Sequence, residues 1–243
     1  MIFFCILLVL LTPQWAGAAE RLLVGVGAAY ILPFKELAAT FEKRTAISVK
    51  PTFAATGNLY SQIMAGAPYD LFLAADEDRP ERLFRENRAD KPFIYATGHL
   101  VLWSARKSTC LPNNWQDALE NSLKKKIVIS NPNTSSYGAV AFHTLKRAGL
   151  WEKIKPQLVF AQDIPQSFQY ATTGGASMAF ISLPFALSEH GNKGCYYTIE
   201  EAQPVRQAAC ILKKARNRDA AEIFSAFLLS PEAVEIRKKY GYQ

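Results

Sequence analysis

Four places in this sequence repeat one arrangement. An apolar run stops, a few small or hydroxyl-bearing residues follow, and a helical pattern begins. The places are Val26 to Tyr30, Phe53 to Asn58, Asn131 to Gly138 and Ala161 to Pro165. The first N–H groups of a helix have no carbonyl partner inside it. They carry about half a unit of positive charge and attract anions. Gly27, Ala28, Ala29, Ala54, Ala55 and Gly57 are small enough for an anion to reach the backbone, and Thr56 adds a hydroxyl donor. The competing role for the same residues is ordinary turn-making, with Thr56 as an N-cap.

Other chemistries find little support. There is no G-x-S-x-G elbow, no P-loop and no G-x-G-x-x-G, and Gly25-Val26-Gly27 lacks its third glycine. His99, His143 and His190 lie far apart and lack metal-ligand spacing. His143 reads as a surface or packing residue, whereas His99 precedes a strand that would cross near a cleft. Glu77, Asp78 and Glu81 read as solvated, and Asp163 as an N-cap. Tyr196, Tyr197, Tyr240 and Tyr242 read as core or edge packing. No nucleophile–base pair is visible, so an enzyme is disfavoured and no cofactor is called for.

The elements that must position the four junctions alternate as in an α/β protein. Strands are expected at Leu22–Val26, Ser48–Phe53, Tyr69–Leu73, 98–103 (crossing between two lobes), Ile127–Ile129, Leu158–Ala161, Ser177–Ile181 and Val205–Leu212. Phe34, Leu37, Ala38 and Phe41 mark one helical face, and Leu59, Ile63 and Met64 a second helix closed by Gly66. Further helices are expected over 79–88, from Val140 to Gly149, Pro165–Ala171, Leu183–His190, Asp219–Leu229 and Pro231–Lys239. No repeat, low-complexity tract or flexible linker interrupts them.

The chain of 243 residues suits one large domain or two lobes, and its 20 % charged content is that of an ordinary globular protein. Its formal charge of +7 attracts anions at long range. The basic residues are scattered, with Lys124-Lys125-Lys126 the longest run, and no nucleic-acid motif accompanies them. Residues 1–18 read as a signal peptide: an apolar stretch from Met1 to Leu11, then Ala16-Gly17-Ala18 as the cleavage site. They lack Lys and Arg, which leaves an uncleaved anchor as the alternative. Cys5 lies inside that run. Cys110, Cys195 and Cys210 remain, enough for one disulfide in an oxidising compartment. Cys110–Cys195 is preferred and Cys195–Cys210 is the rival, with Cys210 otherwise a buried thiol.

The stretch Gln62-Ile63-Met64-Ala65-Gly66-Ala67-Pro68-Tyr69-Asp70-Leu71-Phe72-Leu73-Ala74-Ala75-Asp76 resembles a Q-I-x-x-G-A-P-x-D-L-F-x-S-A-D segment of the periplasmic molybdate-binding proteins of ABC importers. Gly98 to Ser104, Ile129-Ser130-Asn131-Pro132 with Tyr137-Gly138, and the tail from Leu229 to Tyr242 are similar to further segments of that family, in the same order. The resemblance implies a two-lobed periplasmic-binding-protein fold of type II, each lobe a mixed sheet flanked by helices. Residues 19–98 plus 205–243 would form one lobe and 99–204 the other. It implies a periplasmic monomer that hands molybdate or tungstate to an ABC permease, with no nucleic-acid partner. The family's loop hydroxyl falls on Thr56, its Asn-Pro-loop ligand on Tyr137, and its later backbone ligand on Ile164. A family tyrosine that sometimes reaches the anion falls on Ser182. The family's Ser, or Thr-Asn pair, after the first strand is replaced by Ala28 and Ala29, followed by Tyr30. That departure keeps open a different small or organic anion, or a sensor with a degenerate pocket.

Overall fold

The computed structural model describes residues 21–243 apart from Leu123. The leader at 1–18 and Cys5 lie outside the described residues. In the first half of the chain come β1 (Arg21–Gly27), α1 (Ile31–Thr45), β2 (Ser48–Ala54), α2 (Thr56–Met64), β3 (Leu71–Leu73), α3 (Asp78–Arg85) and β4 (Phe93–Gly98). Then follow β5 (Leu100–Ser104), α4 (Trp115–Glu120), β6 (Ile127–Ser130), α5 (Ser136–Arg147), α6 (Trp151–Ile154), β7 (Leu158–Ala161), α7 (Ile164–Thr172), β8 (Met178–Ser182), α8 (Leu183–Leu187) and β9 (Cys195–Thr198). The chain ends with β10 (Val205–Ile211), α9 (Arg218–Leu228) and α10 (Pro231–Lys239).

Two mixed sheets result, each the centre of a lobe. The first has the order β2-β1-β3-β10-β4 and the second β7-β6-β8-β5-β9. In the first, β1, β2 and β3 run parallel and β10 runs against both β3 and β4. In the second, β6, β7 and β8 run parallel and β5 runs against β8 and β9. Each sheet therefore holds one reversed inner strand, and parallel strands send their carboxyl ends, with the helix starts that follow, to one edge of the sheet.

Packing explains the helices. Phe34, Leu37 and Phe41 of α1 bury their stripe on the first sheet and meet Phe224 of α9, with the Phe41 and Phe224 ring centroids 4.8 Å apart. Gly66 and Gly149, at φ of +92° and +67°, stop α2 and α5 in the left-handed region that glycine enters without a Cβ penalty. Asp70, buried beneath the Gly-Ala-Pro turn, accepts the N–H groups of Leu23 (2.8 Å), Arg216 (2.7 Å) and Asn217 (3.1 Å). It thus ties β1 to the loop after β10. At the end of the chain, Gln243 exchanges backbone hydrogen bonds with Thr97 (2.8 and 3.0 Å) and extends the edge at β4.

Several expectations change. The crossing strand read at 98–103 is two strands in different sheets, β4 and β5, parted at His99. The helix expected at Leu183–His190 ends at Leu187, where Ser188 turns its hydroxyl onto the Phe185 carbonyl (2.7 Å). Edge strand β9 and the short helices α4 and α6 are additional. Cys110 and Cys195 form the disulfide, and Cys210 is a buried free thiol that burial pushes up to about 12. Lys124, Lys125 and Lys126 are exposed. Among the described residues no helix is long and apolar enough to cross a membrane.

Candidate functional site

The four junctions fall at the carboxyl ends of β1, β2, β6 and β7, and they face one another across the line between the lobes. The first is a single 3-10 turn, Ala28–Tyr30, packed against α7 of the other lobe. The second begins α2. Its residue Gly57 donates its N–H to the Thr134 carbonyl of the other lobe at 2.8 Å. A Cβ on Gly57 would lie 2.9 Å from that carbonyl oxygen, so only glycine permits this approach. The third begins α5, capped by Ser135, and the fourth begins α7, capped by Asp163 through the Gln166 N–H at 3.0 Å.

Ala28, Ala29, Tyr30, Thr56, Tyr137 and Ile164 are all buried, none above 4 % exposed. Ala29 packs in one apolar cluster with Tyr137 and Ile164, although it stands on the first lobe and they stand on the second. The lobes are closed on each other here. Thr56 is the first residue of α2, not its cap; Ala55 occupies the cap position. The Thr56 hydroxyl accepts the Ala75 N–H at 3.1 Å, which orients the oxygen and leaves its proton free to donate. A Cβ on Gly27 would lie 3.2 Å from that hydroxyl.

The two tyrosines do different things from what their positions suggest. The ring of Tyr30 turns into the first lobe's core, edge-on to Tyr95 and Tyr242 with centroids 4.9 and 5.0 Å away. It supplies no side-chain donor to the junction in place of the polar residues missing at Ala28 and Ala29. Tyr137 sends its hydroxyl to the crossing, where it accepts Gln207 Nε2 of β10 at 3.2 Å. A Cβ on Gly98 would fall 2.1 Å from that hydroxyl. Gln207 also meets the Tyr95 hydroxyl at 2.9 Å, and the Tyr242 hydroxyl donates to the Ala29 carbonyl at 3.1 Å. Burial holds the phenols of Tyr30, Tyr95, Tyr137 and Tyr242 above the ordinary tyrosine range, so all four stay neutral. This buried polar network locks the crossing strands. The Tyr137 backbone N–H lies in the first turn of α5, where N–H groups lack a partner inside the helix.

The mouth of the junction carries a contact that the sequence did not announce. Ser136, first residue of α5, donates its hydroxyl to Asp76 Oδ2 of the first lobe at 2.5 Å. Arg79 pairs with the same carboxylate and reaches the Asn133 carbonyl at 3.4 Å. Each charge is neutralised by the other, so this pair joins the lobes without presenting a free cation. Ser182, where the family tyrosine would fall, is buried and its hydroxyl has no hydrogen-bond partner among the described residues. His99 is half-buried at the crossing, and its carbonyl accepts the Leu183 N–H at 2.9 Å. His143 and His190 are exposed, and no group of three metal-ligating side chains occurs among the described residues.

Comparison with known proteins agrees with this fold. The family model "Bacterial extracellular solute-binding protein" matches residues 22–243. The molybdate-binding protein ModA of Azotobacter vinelandii is 38 % identical over 232 residues, covering 93 % of this chain and 91 % of that one. The Rhodobacter capsulatus protein of the same name is 33 % identical and covers 93 % and 89 %. The solved structure of the Azotobacter vinelandii periplasmic molybdate-binding protein superposes with a TM-score of 0.86 at 31 % identity, over 91 % of this chain and 98 % of that chain.

Proposed function

Because the chain belongs to the bacterial extracellular solute-binding protein family, we propose that it captures molybdate between its lobes and delivers it to the membrane permease of an ABC importer. The observation that carries this reading is the convergence of four strand-to-helix junctions from two lobes on one buried place, with the Thr56 hydroxyl among them. The donors assigned to the anion are the backbone N–H groups of Ala28, Ala29, Tyr137 and Ile164 and the hydroxyl of Thr56. Tyr30 takes a supporting role, packing beneath the first turn. Tungstate, of nearly the same size and charge, is held the same way. The lobes are assigned to 19–98 plus 205–243 and to 99–204. The protein works as a periplasmic monomer after loss of its leader, without a cofactor and without catalysis.

Selectivity on this reading comes from donors with fixed directions. A smaller sulfate or phosphate leaves some of them unmet, which costs affinity. A protonated phosphate also brings a proton for which a donor-only site has no acceptor. The absence of side-chain donors at Ala28 and Ala29 favours a second reading, in which the room they leave admits an organic anion.

A thermal-shift screen of the secreted protein against molybdate, tungstate, sulfate, phosphate and small carboxylates separates these readings. Stabilisation by molybdate and tungstate alone supports the first. A shift with a carboxylate supports the second, and no shift at millimolar anion leaves a sensor with a degenerate pocket. On the first reading Thr56→Ala weakens molybdate binding by about tenfold to a hundredfold, the worth of one hydrogen bond to a charged group. Unchanged affinity removes Thr56 from the donor set.

A further inference from the structure

The strongest concentration of unpaired charge lies at the opposite end of the second lobe from the junction. Arg106 and Lys107 follow β5, Lys124, Lys125 and Lys126 precede β6, and Lys193 precedes β9. Strand register brings these three segments together. Ser104 stands opposite Cys195, and Ile127 stands opposite Met178. The Ser177 N–H donates to the Lys126 carbonyl at 2.8 Å, and the Ser104 hydroxyl to the Ser177 carbonyl at 2.8 Å. All six cations are exposed, and none forms an ion pair among the described residues. Arg106 and Lys125 stand between two adjoining surface hollows of about 660 and 700 Å³ and line both. Of the acids on the rim, Glu120 is paired with Lys153 at 3.0 Å, and Asp117, held by the neutral Asn114 amide at 2.8 Å, is one negative charge against the six cations.

Beside this charge stands Leu111, the most exposed large apolar side chain in the described residues at 79 %. It follows Cys110 directly, and the disulfide to Cys195 anchors its loop to the edge strand β9. A hydrophobic side chain held out on an anchored loop amid lysines gains nothing from a bare polyanion. It does gain from a bilayer, whose headgroups attract the lysines and whose acyl boundary accepts the leucine. The cations are also spread over three segments, and the open hollows beside them, of about 660 and 700 Å³, are far larger than one phosphate. That layout suits a broad charged surface.

We propose that this far end of the second lobe is a docking face for a membrane surface rich in anionic phospholipid. Held by it, the protein is restricted to the surface where a permease is found. The test is co-sedimentation of the secreted protein with phosphatidylcholine vesicles, with and without phosphatidylglycerol, at low salt. Binding is expected only with phosphatidylglycerol and is lost in about 0.5 M salt, where screening shortens the reach of each charge to a few ångströms. K124Q/K125Q/K126Q weakens it by roughly tenfold or more. Leu111→Ser weakens it by a few-fold without changing its salt dependence. Removing three exposed lysines of the first lobe, K35Q/K43Q/K50Q, has the smaller effect. Both far-end variants keep the wild-type thermal shift with molybdate, which separates this proposal from the assignment of the anion site. Equal binding to pure phosphatidylcholine overturns it. So does equal weakening by the two triple variants, or capture of polyglutamate by a protein that ignores the vesicles.

Discussion

As proposed, the second lobe meets negative charge at both ends, by opposite means. At the junction it offers the N–H groups that begin α5 and α7, buried and held in fixed directions by the Ser135 and Asp163 caps. At the far end it offers Arg106, Lys107, Lys124, Lys125, Lys126 and Lys193, exposed on long side chains. The difference follows from solvation. An ammonium group buried without a partner costs several kcal/mol, on the order that makes it lose its proton. A peptide N–H carries only partial charge and its direction is set by the helix it starts. Oriented amides can therefore discriminate by size in a dry place, whereas lysines in water attract any anion and are screened by salt. The Asp76–Arg79 pair obeys the same rule: the Arg79 guanidinium arrives already matched by a carboxylate.

The sharpest way to break this comparison is a wedge at the junction. In Gly57→Ala the new methyl meets the Thr134 carbonyl of the other lobe at 2.9 Å and, nearest within its own lobe, the end of the flexible Arg79 side chain at 3.1 Å. Alanine also improves helix propensity by about 1 kcal/mol over glycine. The variant is expected to keep its melting temperature without ligand while its affinity for molybdate falls about a hundredfold, a loss of about 2.7 kcal/mol. Calorimetry measures both quantities. A variant that binds normally shows that closure at Gly57 is not needed.

The far end gives the converse. C110S/C195S opens a covalent loop spanning 85 residues of sequence, and stability is expected to drop by about 2–4 kcal/mol. The disulfide lies at the amino end of β9, away from the helix starts, so molybdate affinity per folded molecule stays within about twofold, a difference below 0.5 kcal/mol. Urea unfolding with and without molybdate separates the two effects. Affinity lost together with stability would mean that the ends of the lobe are coupled.

Much of this was legible because it is local. The four junctions announced themselves through small residues between an apolar run and a helical stripe, and Asp163 was readable as a cap from its place before Ile164-Pro165. What joins distant residues was hidden. Asp76 and Ser136 are 60 positions apart and meet only when the lobes close, so no spacing rule connects them. Phe93 to Trp103 is nearly continuous in apolar character, and the step from one sheet to the other at His99 leaves that character unchanged. Strand β9 alternates half-buried and exposed residues at a sheet edge, and its Tyr196-Tyr197 pair gives the same signal as a packed turn. The direction of Tyr30 depends on Tyr95 and Tyr242, supplied by a different strand and by the end of the chain.

The smallest expected effect is the most discriminating. Amide N–H groups do not titrate in the physiological range, and the Tyr137 phenol is held above its ordinary pKa by burial. Affinity for molybdate should therefore stay flat from about pH 6.5 to 9, because the donors assigned to the anion keep their protons throughout. Stability behaves differently at the alkaline end. Tyr30, Tyr95, Tyr137 and Tyr242 all have folded-state values raised above those of exposed phenols. Their contribution is complete below about pH 10, where unfolded phenols still hold their protons. It declines above that, as the unfolded chain releases protons that the native state retains. Titration calorimetry across the neutral range and melting curves into the alkaline range test the two halves separately. An affinity that falls steadily between pH 7 and 9 would mean that a titrating cation holds the anion, and would erase the distinction between the two ends of the lobe.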